Sequence, residues 1–458
     1  MTPEDLGGWL DAHQITTVRT EGASLDGLVL GKHLSRDKFE RSLPLGPALS
    51  DLVFAWDIGG SPQLGWWADF RQPALGDVHQ RPDLTTMVAS PNRPGMADVI
   101  VDHVTIAGDP LPVCPRVVLR GVVDRLAARG LTARCACELE FMVFREPYES
   151  ARRSRYRTLT PMGTPLPIGY TTHNAHYLTE FMDEVVRRLD GLGIAWEAWS
   201  DEAAPGQVEL NFEPADPLAT ADRVLRTKQA IKEVAIDRGA SATFMAKPTA
   251  EYGNGMHIHH SLARDGASAF FDASRDDHRS TDMRHWIGGL VATMPAAVSI
   301  LAPTVNSYRR MVGFAAAPTT PTWCEENKST GLRVISRSEK LARIEHRVAS
   351  ADVNVYLALA VILAGGIAGL DGDIEPPDEY TGLAWGEPPG SAGLPASISA
   401  AADELERDKL LTAVLGESFV DYWLHNRRWE WLMFHTGGGD AGAADVTEWE
   451  LNRYFELV

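Results

Sequence analysis

The segment Ala136-Cys137-Glu138-Leu139-Glu140-Phe141-Met142-Val143-Phe144 constrains what this chain can fold into more than any other. Aromatic and β-branched residues without a helical period predict a strand. Side chains on a strand alternate between faces, so Glu138 and Glu140 share one. Two carboxylates that close raise each other's pKa unless a cation relieves them. Taken alone, such a pair reads as the solvated edge of a sheet.

Three later segments overturn that reading. In Glu202-Ala-Ala-Pro-Gly-Gln207-Val208-Glu209-Leu210-Asn211-Phe212-Glu213, apolar residues alternate with Glu209, Asn211 and Glu213. In Gly253-Asn-Gly-Met-His257-Ile-His259 two histidines share a face, and Arg343-Ile-Glu345-His-Arg347 lays Arg, Glu and Arg along one. Four strands with ionisable groups at period two predict a sheet with a charged, concave face, gathering Glu and His around cations and Arg around anions. Hard carboxylate oxygens suit magnesium or manganese better than zinc. Cations beside arginines point to phosphoryl transfer.

Charge narrows the partners. A net charge of −19 argues against nucleic acid and against an anionic membrane, both of which need basic patches. Local positive charge comes from the Arg-rich stretch 306–347. The four cysteines (Cys114, Cys135, Cys137, Cys324) lack disulfide or zinc spacing and read as reduced thiols of a cytoplasmic protein. The acidic start Met1-Thr-Pro-Glu-Asp5 has no apolar signal core behind it. The uncharged run 353–370 is interrupted by Gly365-Gly366 and predicts a buried helix, not a membrane span.

The expected fold class is α+β, with two domains, 1–107 and 108–458, divided near Ile106-Ala-Gly-Asp-Pro110. Periodicity predicts helices over 3–13, 117–129, 177–191, 217–238, 283–301, 400–415, 419–434 and 448–455, and a hairpin over 16–34. Residues 152–169 and the Gly-, Pro- and acid-rich 371–395 read as loops, the latter exposed.

The chain resembles the glutamine synthetase family, including its glutamate–amine ligases, over nearly its whole length. The resemblance rests on Gly76-Asp-Val, Pro82-Asp-Leu-Thr-Thr86, Pro115-Arg-Val-Val-Leu119, the Glu-x-Glu strand, Glu202-x-x-Pro-Gly-Gln-x-Glu209 and Phe244-Met-Ala-Lys-Pro248. It continues through Gly255-Met-His-Ile-His259, Ser261-Leu262, Asn306-Ser-Tyr-Arg-Arg310, Arg343-Ile-Glu-His-Arg347 and Asn354-Val-Tyr-Leu357. It implies an N-terminal β-grasp domain that completes the neighbouring subunit's active site, a catalytic domain with an antiparallel active-site sheet, and a homododecamer. It also implies two or more Mg²⁺ or Mn²⁺ ions, one on Glu140, Glu202 and Glu209, another on Glu138, His257 and Glu345. His259, Ser261, Arg333 and Arg343 match positions at ATP, while Gly253, Arg310 and Arg347 match positions around glutamate. Lys328 stands where the family has an arginine near the transferring phosphate, keeping the charge but losing the bidentate fork.

The departures bear on the substrate. In glutamine synthetases proper a Glu closes over the site and takes the ammonium proton; counted from Arg310 to Pro318, that position is Ala316. An Asp of the N-terminal domain that faces ammonium is matched by Ser24, in Ser24-Leu-Asp26-Gly27, and the glutamate-site Asn by Tyr252. Ser24, Tyr170 and Ala316 would line the amine pocket. With both anionic partners of ammonium gone, the expected acceptor is an organic primary amine (an alkanolamine, alkylamine, arylamine or polyamine), small and singly charged or neutral before polycationic, unless Asp26 or the acids near Asp201 compensate. Two other readings compete: glutamine synthetase proper, using ammonia, and a catalytically silent homologue that binds nucleotide or metal.

Overall fold

A computed structural model describes residues 2–71, 75–164, 168–250, 252–313, 315–385, 393–443 and 445–458. Parts of the expected loops 152–169 and 371–395, and Phe314, lie outside them.

Two sheets and a helical layer make up the molecule. Strands β1 (Thr17–Ala23), β2 (Val29–Leu30), β3 (His33–Ser35), β4 (Ala48–Ser50), β5 (Asp77–Pro82), β6 (Val88–Ala89) and β7 (Met96–Val104) form the first, in order β2-β1-β7-β5-β4, with β3 on β1 and β6 on β7. Its central pair, β1 and β7, is parallel. The hairpin expected over 16–34 is the β1–β2 pair.

The second sheet contains β8 (Thr132–Phe144), β9 (Trp196–Asp201), β10 (Gln207–Phe212), β11 (Ser241–Thr243), β12 (Met256–Arg264), β13 (Ala267–Ser268), β14 (Trp323–Glu325), β15 (Leu332–Ile335) and β16 (Arg343–His346). Its order is β14-β15-β16-β12-β8-β10-β9, antiparallel except for the pair β14–β15. All four strands read from charge alternation are therefore consecutive neighbours. Along β8 the odd-numbered residues Cys135 to Phe141 are buried while Ala136, Glu138 and Glu140 are only half so, which is the pleat expressed as burial.

Behind that sheet lie the long helices. Val355–Asp371 is buried through Gly369 and starts where the Asn354 side chain accepts from the N–H groups of Tyr356 and Leu357. The glycines that interrupt its sequence are contact points: a Cβ on Gly366 would lie 2.0 Å from the Trp286 ring, and one on Gly289 would lie 2.3 Å from the Gly365 carbonyl. The helix Thr281–Leu301 thus packs backbone to backbone against Val355–Asp371. No helix among the described residues is long and apolar enough to cross a membrane, in line with the burial expected of 353–370.

Most predicted helices appear within two residues of their expected ends: Pro115–Ala127, Thr179–Gly191, Pro217–Asp237, Thr281–Leu301, Glu417–Thr436 and Glu448–Tyr454. One expectation is corrected. The helix predicted over 400–415 is two, Ile398–Arg407 and Lys409–Leu415, because Asp408 takes extended dihedrals and its carboxylate caps the second by accepting from Leu411 N–H at 2.8 Å. All four cysteines are free. We keep the division at residue 107/108 as a proposal; an exposed turn lies there, with Ile106 66 % accessible, while one buried cluster joins Leu25, Phe54 and Trp67 to the catalytic core.

Candidate active site

Strand register brings the predicted residues together. On neighbouring strands Glu138 of β8 lies opposite His257 of β12 and Asn211 of β10, and Glu140 lies opposite Glu209. Across β12 and β16 His259 faces Glu345, which in turn faces Arg333 of β15. A single charged row thus runs across five adjacent strands.

Hydrogen bonds tie the row. The Glu138 carboxylate accepts from His257 Nδ1 on one oxygen and His259 Nε2 on the other, both at 3.0 Å. Arg343 Nε donates to the remaining His259 nitrogen at 3.3 Å. Glu345, 1 % exposed, accepts from Arg333 at 2.9 Å and from Arg347. Arg333 also grips Glu326 through two N–H groups, at 3.0 and 2.6 Å. Glu140 accepts from Gly255 N–H at 2.6 Å and from Gln207 Nε2 at 3.2 Å.

Charge is unevenly compensated. Burial opposes ionisation of Glu138, but the two imidazoles overcome it and hold the carboxyl well below its usual range. Burial likewise opposes ionisation of Glu345, outweighed by His257 and Arg347. Glu140 is pushed up to about 7, by burial first and Glu202 next, against Arg310 and the Gly255 N–H. Glu209 is pushed up to about 8 by burial and by Glu138, Glu140 and Glu202. Arg310 does not fully offset the burial of Glu140, and a divalent cation would supply further positive charge to both carboxylates.

Geometry fits that cation. The ligand atoms of Glu138, Glu209 and His257 lie within 4.8 Å of one another, as do those of Glu138, His259 and Glu345. Oxygen donors with one or two imidazoles suit Mg²⁺ or Mn²⁺. The grouping differs in detail from the expected one: His259, expected at the phosphates, stands on Glu138, while Glu140 and Glu202 share the cleft but belong to neither group.

Two clefts meet at this row. The first, of about 600 Å³, is bordered by Glu138, Glu140, Glu202, Glu209 and His257, by Gly253, Arg310, Lys328 and Arg347, and by Tyr170, Tyr252, Ala316 and Trp385. The second, of about 520 Å³, is bordered by His259, Ser261 and Arg343 and shares Glu138 and Asn211 with the first. Arg310 is 4 % exposed and donates to Val348 O at 3.2 Å. The glycines make room for it: a Cβ on Gly255 would lie 2.5 Å from its Nη2, and one on Gly253 would lie 2.3 Å from Ala246 O and 3.0 Å from its Cγ. The Tyr170 hydroxyl hydrogen-bonds Glu202, and burial followed by that bond raises its pKa.

Ser24 is not on this cleft. It sits in the β1–β2 turn, its hydroxyl accepting from Leu28 N–H at 3.0 Å and its carbonyl from Asn354 Nδ2 at 2.8 Å. Its neighbour Asp26 is paired with buried Arg427 at 2.7 Å. Asp201, 2 % exposed, accepts from Asn174 Nδ2 at 3.1 Å and Thr171 N–H at 3.3 Å. Both of these acids are thus engaged, while Glu202, next to Asp201, borders the cleft.

Several residues of the clefts escaped sequence reasoning as site residues, among them Gln207, Asn211 and Trp385. Gln207 reaches Glu140, Gly253 O and Asn254, and Asn211 stands where the clefts join; both were visible in the alternation of β10. Trp385 belongs to the stretch read as an exposed loop; residues 377, 378 and 381–383 are exposed as expected, while Ala384 is 1 % exposed and Trp385 half-buried, and Trp323 Nε1 donates to Pro377 O at 2.8 Å.

Comparison with known proteins identifies the family. The family model for the glutamine synthetase catalytic domain matches residues 112–454. The gamma-glutamylethanolamide synthetase of Streptomyces coelicolor is 32 % identical over 99 % of this chain and 96 % of its own. The glutamine synthetase of Thermotoga maritima is 31 % identical over 100 % of both. A ligand-free structure of GmaS superposes with a TM-score of 0.83 at 26 % identity, covering 98 % of each chain. The chain belongs to the glutamine synthetase family and is an ATP-dependent carbon–nitrogen ligase.

Proposed function

We propose that this ligase joins the γ-carboxylate of glutamate to an organic primary amine. A carboxylate oxygen attacks the γ-phosphorus of ATP and ADP leaves. The amine nitrogen then attacks the γ-glutamyl phosphate, phosphate departs, and the nitrogen gives up a proton. Arg310 and Arg347 hold the glutamate α-carboxylate, for which planar guanidinium forks are suited. His259, Ser261 and Arg343 serve ATP from the second cleft, Arg333 does so from beside it while paired with Glu326 and Glu345, and Lys328 offers its ammonium to the transferring phosphate. Divalent cations held by Glu138, Glu140, Glu202, Glu209, His257 and Glu345 would neutralise charge on the phosphoryl oxygens.

The observation that carries the choice of acceptor is Ala316, which borders the same cleft as Arg310 and Glu202 where ammonia-using relatives are expected to carry a Glu. Identity alone does not choose, since a glutamine synthetase and a glutamylamide synthetase match almost equally. Apolar and aromatic neighbours favour carbon: burying each CH₂ of an amine contributes roughly 0.8 kcal/mol. The engagement of Asp26 and Asp201 ranks a small, singly charged or neutral amine above a polyamine. We further infer a closed homo-oligomer, a dodecamer by resemblance, in which Ser24 faces a neighbour's cleft. Light scattering tests this; an active, strictly monomeric species would remove the shared site.

The testing experiment is glutamate-dependent phosphate release across a panel of ammonia, ethanolamine, short alkylamines, aniline and putrescine. Stimulation by one of the small amines above ammonia supports the reading. Preference for ammonia returns the chain to glutamine synthetase proper. No turnover with any of them, in Mg²⁺ or Mn²⁺, makes it a silent homologue.

A further inference from the structure

Lys328 is an exposed residue in a turn, and a lysine is a point charge on a flexible stem whose rotamers cost up to about 2 kcal/mol to fix. An arginine could aim itself by its fork; a lysine must be aimed by the backbone beneath it. Here that backbone is pinned on both sides. Before it, the Glu326 carboxylate is gripped by Arg333, and Glu326 N–H donates to Val334 O at 2.9 Å. Immediately before it, Asn327 Oδ1 accepts from Ser329 N–H at 2.9 Å and from the Ser329 hydroxyl at 2.6 Å, closing a turn around Lys328. The Asn327 carbonyl is bound by Thr330 Oγ1 at 2.8 Å.

The turn is then fastened to the segment 377–385. Asn327 Nδ2 donates to Gly382 O at 2.8 Å, and the Ser329 hydroxyl accepts from Ala384 N–H at 2.9 Å. One residue later Trp385 borders the cleft that Lys328 also borders. The segment's other end is fixed to β14 by the Trp323–Pro377 bond and by Tyr380 N–H to Trp323 O at 3.0 Å.

We propose that Asn327 and Ser329 are positioning residues for Lys328: their side chains close the turn and strap it to 377–385, so that the ammonium meets the transferring phosphoryl group. This rests on the assignment of Lys328 to that group. The carboxamide oxygen of Asn327 is the main element, since it shapes the turn itself; its N–H and the Ser329 hydroxyl add the strap.

The test is a set of full-length variants assayed for glutamate- and amine-dependent phosphate release: Asn327→Ala, Asn327→Asp, Ser329→Ala and Lys328→Ala, with Asn327→Ala and Ser329→Ala also placed in the Lys328→Ala background. Misplacement of a catalytic group by about 1 Å can cost about 10²-fold. We therefore expect Asn327→Ala to lower kcat about 10- to 100-fold while KM for ATP and glutamate stays within about twofold. Asn327→Asp keeps the acceptor and should restore most of kcat. Ser329→Ala should show a smaller kcat loss, and it carries the test should Asn327→Ala fail to fold. Neither change should matter further once Lys328 is alanine. Losses that multiply with that of Lys328→Ala overturn the positioning role and leave the function of Lys328 standing. A Lys328→Ala variant with wild-type kcat removes the assignment of Lys328 itself, and this proposal with it.

Discussion

Gly255→Ala tests how the glutamate clamp is built. The added methyl would stand 2.5 Å from Arg310 Nη2 and 3.1 Å from its Cζ, where ordinary contact begins near 3.4 Å. The guanidinium must retreat by about 1 Å, from a site where it is 4 % exposed and held by Val348 O. A charged hydrogen bond contributes about 1.5–3 kcal/mol, and about 1.4 kcal/mol is tenfold in affinity. Glutamate KM should therefore rise about 10- to 150-fold, while KM for ATP, bound on the other side of Glu138, stays put. Overpacking should lower stability by only about 1–3 kcal/mol. Gly253→Ala is the contrast: its methyl would meet the Ala246 carbonyl at 2.3 Å, a backbone atom that cannot swing away, so stability should suffer first. The assay is phosphate release against glutamate concentration, with thermal melting as control. A folded Gly255→Ala enzyme with glutamate KM within about twofold of wild type would refute the clamp.

Glu140→Ala and His257→Ala should each abolish phosphate release without unfolding the protein, as circular dichroism would report; near-normal turnover at saturating Mg²⁺ would reject the metal assignment. Glu140 and Glu209, raised by burial to about 7 and about 8 from 4.5, contribute stability that is present below pH 4.5 and lost as pH rises through those values, so the melting temperature of metal-free protein should fall between pH 5 and 9. Glu209→Gln should flatten that fall and Mg²⁺ should oppose it; a metal-free fall unchanged in Glu209→Gln would contradict this electrostatic reading. Asp26→Asn removes the carboxylate paired with buried Arg427, which keeps its bond to Pro303 O, so it should lower stability by about 1–3 kcal/mol in chemical denaturation without changing the order of preferred amines.

The catalytic sheet was legible because its chemistry and its geometry share a period. On β8, β10, β12 and β16 the ionisable residues recur at period two, and burial follows that alternation from Cys135 to Phe141, from Val208 to Phe212 and from Ile258 to Leu262. Strand order and register were not legible in the alternation itself, since pairing joins residues far apart in sequence. Hence the contact of His259 with Glu138 came only with the structure. Helices were readable where an amphipathic stripe or a cap marks them. Asp408 looked like one more polar residue of a continuous helix, although its extended backbone ends one helix and its side chain caps the next. The strap 377–385 has the composition of a solvated loop, and it is held by the Glu379 carboxylate on Arg279 together with backbone groups of Pro377, Tyr380, Gly382 and Ala384, which composition does not reveal. Ser24 was placed by resemblance alone; within one chain it meets Asn354, and its proposed pocket requires a neighbour.

The most direct measurement is the ratio of kcat/KM for ammonia to that for the best organic amine, in the wild type and in the Ser24→Asp, Ala316→Glu double variant. Acid–base assistance of the kind missing at Ala316 is worth about 10²–10⁴-fold, so wild type should favour the amine by at least about 10²-fold, and the double variant should move the ratio toward ammonia by narrowing the pocket and restoring its charge. A wild-type enzyme that uses ammonia better than every amine tried would contradict the organic-amine assignment and make this chain a glutamine synthetase proper.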